Sequence, residues 1–172
     1  MTAETSSVNP YAAPDSDLNK VSKDSGIEIF ERFSAWGVFG LMLVTLGIYY
    51  YVWLYKRTNI LNPVVENDIS GSFVSATLVL IILSYVGEIG EFLMLDSAYY
   101  LTYTTAYTVI GIVATVMSTV WVFKIRNRIN QLTKSYRGDK TWCSLVMTFF
   151  FSAIYLQYKI NQNLDEVKSY QG

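Results

Sequence analysis

Hydrophobic residues are concentrated in four stretches of the chain, and polar residues fill the intervals between them. Each stretch is about eighteen residues or longer, and a helix of that length approaches the hydrocarbon thickness of a bilayer, about 30 Å. The pattern predicts membrane helices over residues 33–55, 73–95, 99–123 and 141–158. The predicted fold class is therefore all-α, an integral membrane helical bundle of about four hydrophobic helices within residues 27–159.

Amphipathic segments flank these stretches. Apolar residues every third position over 27–33 suit a short helix at the membrane interface. Over 124–136, apolar residues fall on one face and basic residues on the others, which predicts an amphipathic helix. Residues 160–172 continue amphipathically as a C-terminal tail. Residues 1–26, rich in Ser, Asp, Ala and Pro, are predicted to be a disordered N-terminal tail.

The first hydrophobic stretch carries a family resemblance, in the run TLGIY followed by WLYK. The matching residues are Thr45, Leu46, Gly47, Ile48, Tyr49, Trp53 and Tyr55. They resemble the signature of a bacterial family of small membrane proteins catalogued as domain of unknown function 4234. The resemblance implies a bacterial inner-membrane location and a bundle of few helices. It brings no activity and no catalytic residues.

Composition narrows the possible chemistry. The chain has no His and a single Cys, Cys143, which excludes an intramolecular disulfide, a His/Cys metal site and His-dependent nucleophilic catalysis. No cofactor is predicted, and the protein is not expected to be an enzyme.

The distribution of basic residues predicts topology. The loops 56–71 and 124–140 together carry eight Lys and Arg residues, whereas the turn 96–98 carries none. Basic loops are retained in the cytoplasm. With four complete spans both tails would then lie outside. If instead the first and fourth segments turn back within the membrane, both tails and both basic loops would face the cytoplasm. Such a break is tolerated only where protein or water covers the backbone.

Two acidic residues stand near the end of the second stretch. Glu88 and Glu91 share one helical face, and Tyr99, Tyr103 and Tyr107 at the start of the third stretch are positioned to donate to them. Carboxylates in a membrane normally face a bundle interior, a cavity or a partner. The functional interpretation is a polar site that binds a cation or relays a proton. The structural alternative is a helix that ends near Gly87, which would leave both carboxylates among the headgroups.

A second candidate is the basic cluster after the third stretch, which consists of Lys124, Arg126, Arg128, Lys134, Arg137 and Lys140. Basic residues beside a span attract anionic lipid headgroups, and a partner protein could use the same charge. The simpler interpretation is a topology determinant. No nucleic-acid partner is expected, because the apolar face of this helix would be occupied by the membrane.

Two functional hypotheses follow. The first is a small non-enzymatic inner-membrane protein that acts by association with the bilayer and with a membrane-protein partner, as an accessory subunit, or with itself as a homo-oligomer. The second is a minimal cation- or proton-coupled transport protein that uses Glu88 and Glu91.

Overall fold

The computed structural model describes residues 26–171, which form a short 3-10 helix and five α-helices with no strand among them. The 3-10 helix covers Ile27–Ile29. The α-helices are α1 (Ala35–Val44), α2 (Ile48–Leu61), α3 (Gly71–Met94), α4 (Tyr100–Leu132) and α5 (Leu145–Gln171). The all-α prediction is confirmed. The predicted N-terminal tail lies, apart from Gly26, outside the described residues.

Helices α3 and α4 form a long antiparallel hairpin, and they are the two helices of residues 26–171 that are long and apolar enough to cross a membrane. Of the most apolar window in each, only 22% in α3 and 28% in α4 is buried inside the molecule, so neither resembles the core helix of a soluble protein. The prediction of four helices able to span a membrane is therefore wrong, because residues 26–171 contain two. Close approach depends on Gly87, where a Cβ would lie 2.6 Å from the Cβ of Tyr107.

The first predicted span is broken into α1 and α2. Leu46 and Gly47 have φ values of 50° and 88°, which reverse the chain direction. The Thr45 hydroxyl bridges the break, because it donates to the Leu41 carbonyl (2.7 Å) and accepts from the Tyr49 amide (2.9 Å). The second bond satisfies the Tyr49 amide, which lies in the first turn of α2 and has no partner within that helix. The signature run is thus a helix reversal within an apolar segment.

The fourth predicted span is also broken. Ser152 has φ 43° and ψ −121°, and the two parts of α5 fold back on each other. The Ser144 amide donates to the Tyr155 hydroxyl (2.9 Å), and the Asn163 amide group donates to the Thr141 carbonyl (3.2 Å). Residues 141–158 are therefore a helical hairpin and not one straight segment, and 160–171 are its second arm and not a separate tail.

Both broken hairpins open toward the same end of the α3–α4 pair. There the Arg128 side chain donates to the Asn67 carbonyl (3.0 Å), and Arg126 donates to the Cys143 carbonyl (2.7 Å). The Asn161 amide group joins this end to the Phe33 carbonyl (2.7 Å). The turn at 96–98 lies at the opposite end. This arrangement corresponds to the alternative in which the first and fourth segments turn back.

Two amphipathic predictions are corrected at the same end. Residues 124–132 are not a separate helix but the last turns of α4. The segment 27–33 forms a single 3-10 turn whose Ile27 and Phe30 side chains are buried in the protein core and do not lie on an interface. That core lies where α2, α4 and α5 meet, and its fully buried members include Leu54, Trp121, Ile125, Leu156 and Ile160.

Candidate functional site

A buried polar cluster joins α2 to the second arm of α5. The carbonyl oxygen of the fully buried Gln157 side chain accepts from Trp53 Nε1 (3.0 Å) and from Arg57 Nη2 (2.7 Å). Trp53 and Arg57 lie one turn apart on α2, so both donors reach the same acceptor. One neutral amide thus holds a tryptophan and a guanidinium in fixed positions.

Arg57 is a buried cation without an ion-pair partner among residues 26–171. It is only 8% exposed, its Nε has no hydrogen-bond partner, and no described carboxylate lies within ion-pair distance of it. Its guanidinium lies against the rings of Phe30 (5.3 Å) and Trp53 (5.5 Å). Burial lowers the pKa of Arg57, and Coulombic interactions with Tyr49 and Glu31 partly oppose that effect. The charge is therefore held by rings and a neutral amide rather than neutralised.

A cavity of about 530 Å³ opens beside Arg57, between residues 29–33 and α2. We call it the hairpin pocket. It is lined by Ile29, Glu31, Arg32, Phe33, Tyr49, Trp53, Lys56, Arg57, Asn59 and Ile60. Three cations and one carboxylate therefore face a space with aromatic walls. Arg32 is also ion-paired with Asp165 of α5.

The cluster extends to the neighbouring helices. The Gln157 amide nitrogen donates to Asn161 Oδ1 (3.1 Å), and Asn161 binds the backbone before α1, as described above. On the other side of α2, Trp121 Nε1 of α4 donates to the Thr58 hydroxyl (2.8 Å). The cluster therefore fixes α2 against α4, against α5 and against the segment that precedes α1.

The predicted glutamate–tyrosine site forms in part. Glu91 accepts from the hydroxyls of Tyr107 (2.6 Å) and Tyr100 (2.8 Å), so both carboxylate oxygens are engaged across the α3–α4 hairpin. Tyr103 donates instead to the Gly87 carbonyl (2.9 Å), and Tyr99 is 75% exposed. Tyr100, which sequence reasoning missed, takes the place assigned to Tyr99. Helix α3 continues through Met94, so it does not end near Gly87.

Glu88 accepts neither of the tyrosine hydrogen bonds that hold Glu91. It is exposed and lines a groove of about 440 Å³ on the α3–α4 surface, together with Ser84, Tyr107, Thr108, Gly111, Ile112, Thr115 and Val116. The two carboxylates therefore have different surroundings. Only Glu91 is held by tyrosine hydroxyls.

The predicted basic surface is divided by the fold. Arg126 and Arg128 are buried and hold the loops at 143 and 67, as described above, and the Lys124 ammonium lies 5.0 Å from the centre of the Phe73 ring. Lys134, Arg137 and Lys140 are exposed. The six cations thus do not form one continuous surface, because α4 turns Arg126 and Arg128 inward.

An apolar groove of about 480 Å³ separates α2 from α3. It is lined by aliphatic and tyrosine side chains, namely Ile48, Tyr51, Val52, Tyr55, Leu78, Ile81, Ile82, Tyr85, Val86 and Ile89. Of the family-signature residues, Ile48 and Tyr55 face this groove, whereas Trp53 faces the buried polar cluster. We call this space the α2–α3 groove.

Sequence reasoning missed Arg57 and Gln157. In the hydropathy pattern Arg57 is only a charge that closes the first predicted span, and Gln157 is one polar residue near the end of the fourth. The available signal was the spacing of Trp53 and Arg57 by one helical turn, which places an aromatic ring and a guanidinium on one face. Their common acceptor lies 100 residues further along the chain, and no local pattern identifies it.

The fold defines a helical protein with a two-helix hairpin able to span a membrane and two shorter broken hairpins at one end of it. The chain belongs to the family described as Domain of unknown function (DUF4234), which it matches over residues 33–131. The matched region runs from the segment before α1 to the end of α4, so it includes the helix reversal and Arg57. No curated protein and no solved structure matches the chain.

Proposed function

We propose that this protein is a multi-pass protein of the bacterial inner membrane that acts by association, and that its partner is a second copy of the chain. In this proposal α3 and α4 cross the bilayer. The α1–α2 and α5 hairpins enter from the cytoplasmic side, where the basic loops lie, and turn back inside. Exposed apolar side chains near the two reversals support this placement, among them Val44, Leu46, Phe149, Phe150 and Phe151.

The observation that carries the proposal is an apolar seam on α3 at the α2–α3 groove. Val79, Ile82, Val86, Ile89 and Leu93 recur alternately at three and four residues, and each is more than half exposed. This is the spacing of a helix seam that packs against another helix. Ile82, Val86 and Ile89 of this seam also line the α2–α3 groove, so a two-fold axis beside α3 would pack the seam and groove of one copy against those of the other.

The engagement of Glu91 favours association over coupled transport. A carboxylate that already accepts from two tyrosines of the same hairpin is suited to fixing α3 against α4. Catalysis is likewise not part of the proposal, since the chain has no His and its one Cys is buried.

A cation- or proton-coupled role remains the second candidate, and exposed Glu88 in its hydroxyl-lined groove is the observation that favours it. The substitution E88Q separates the two functions. Association should survive E88Q, whereas a coupled function that depends on this carboxylate should be lost.

Cross-linking in native membranes tests the association. Val86 lies in the seam, and Val109 of α4 is similarly exposed at a comparable level of the hairpin but outside the groove. In a C143A background, V86C should give a cross-linked dimer with a short thiol cross-linker, and V109C should give little. Equal cross-linking of both variants, or none in either, would contradict self-association through α3.

A further inference from the structure

We propose that the hairpin pocket binds the phosphate group of an anion, with Arg57 and Lys56 as the charged donors. This inference is independent of self-association, because the pocket lies on the opposite face of α2 from the α2–α3 groove. The ligand class is a phosphate ester, supplied either by a lipid headgroup or by a soluble phosphate compound.

The charge of the pocket is the first support. Arg57 is only 8% exposed and has no ion-pair partner among residues 26–171, where two rings and the neutral Gln157 amide contact its guanidinium. Lys56 is exposed on the same helix and lines the same pocket. A buried guanidinium without a carboxylate partner is stabilised by an incoming anion, and its planar donor fork fits phosphate oxygens.

The walls of the pocket are the second support. The rings of Phe33, Tyr49 and Trp53 line the cavity beside the cations. Aromatic rings next to basic residues are typical of the zone where a bilayer meets water. An amphipathic ligand could therefore place its phosphate on the cations and its glycerol or acyl part against the rings.

Glu31 opposes anion binding and supplies a test of opposite sign. Its carboxylate lines the same pocket, and among the described residues Glu31 is the one acidic residue in the lining. Replacing it by Gln removes a repulsive charge without removing a donor. If the ligand is an anion, E31Q should bind more tightly than the unaltered protein.

The experiment uses the full chain, purified in a neutral detergent, and measures ligand binding by native mass spectrometry and by ligand-dependent thermal stabilisation. The lipid probe is short-chain phosphatidic acid, and the soluble probe is glycerol 3-phosphate. The variants are K56Q and E31Q. The matched control is K134Q, which removes the same charge from an exposed position outside the pocket.

We expect K56Q to weaken binding about fivefold, K134Q to leave it unchanged and E31Q to strengthen it. Binding of phosphatidic acid alone would identify a headgroup site, and binding of both probes would identify a site for phosphate esters in general. Absence of binding by either probe, or an equal loss in K56Q and K134Q, would overturn the proposal. R57K gives a further check: in a folded variant it should weaken binding, because a point charge replaces a fork.

Discussion

Ser152 donates a hydrogen bond to the hydroxyl of Tyr50 (3.1 Å), and this bond joins the break in α5 to the first turn of α2 just after the other break. The two reversals, which lie about a hundred residues apart in sequence, are therefore neighbours in space. The Tyr85 hydroxyl of α3 also lies 3.5 Å from the Leu46 carbonyl at the first reversal. Protein contacts of this kind are the condition under which broken helices are tolerated at membrane depth.

The topology predicted from this arrangement places both basic loops and the end of α5 on one side of the membrane. Paired reporter fusions, one active inside the cell and one outside, would be placed after Gly172 and within the turn 96–98. We expect the C-terminal fusion to report the cytoplasm and the turn to report the outside. A C-terminus on the same side as the turn would mean that α5 crosses the membrane.

The reversal at Gly47 should depend on its backbone conformation. Because Gly47 has φ 88°, G47A should lower the free energy of unfolding by about 1–2 kcal/mol. Gly40 lies inside α1, and a Cβ added there would have no neighbouring atom within 4 Å, so G40A should instead raise it by about 0.5–1 kcal/mol. Denaturant titration in mixed micelles measures both, and destabilisation by G40A as large as that by G47A would refute the assignment.

The two glutamates should differ in their effect on stability. E91Q weakens two hydrogen bonds to tyrosine hydroxyls, so it should lower the melting temperature, whereas E88Q should leave it nearly unchanged. Combining E91Q with Y107F should cost less than the sum of the two single changes, because they remove the same interaction. Additive effects would show that the two side chains do not interact.

Removal of the Gln157 side chain, the common acceptor in the buried cluster, should strongly destabilise the protein. Q157A leaves the Trp53 and Arg57 donors without a partner and should destabilise the protein by about 2–4 kcal/mol. The exposed Gln131 is the matched control, and Q131A should change stability by less than about 0.5 kcal/mol. Similar effects of the two changes would rule out a structural role for the cluster.

Cys143 should resist alkylation in the native protein. The residue is fully buried, and burial raises the pKa of its thiol to about 12 from an ordinary value of 9.0. Raising the pH toward 9 should therefore speed the labelling of an exposed thiol, such as Y136C in a C143A background, but not that of Cys143. Above about pH 9 the unfolded thiol ionises while the native one stays protonated, so this group lowers stability as pH rises. Rapid native labelling of Cys143 would contradict its burial.

The local pattern of the sequence determined the helical class, the bounds of α3 and the start of α4 to within a few residues, and the separation of basic loops from the turn at 96–98. It placed the end of α4 at residue 123, whereas the helix continues to Leu132. These features depend on composition within a short window, since a long apolar run favours helix over other structures. The resemblance to the family was likewise contained in one contiguous run and is confirmed.

Only the tertiary structure decided that the first and fourth stretches are hairpins. Hydropathy averages over a window and does not register a change of direction at one residue such as Gly47, and Ser152 carries no turn signal of its own. The same limit hid the site, because Arg57 and Gln157 meet across 100 residues. Arg126 and Arg128 belong to a basic run that the sequence pattern assigns to the surface. They are buried because each donates a hydrogen bond to a backbone carbonyl of a neighbouring loop. Pairing between distant segments, and not local composition, determines which polar residues are buried.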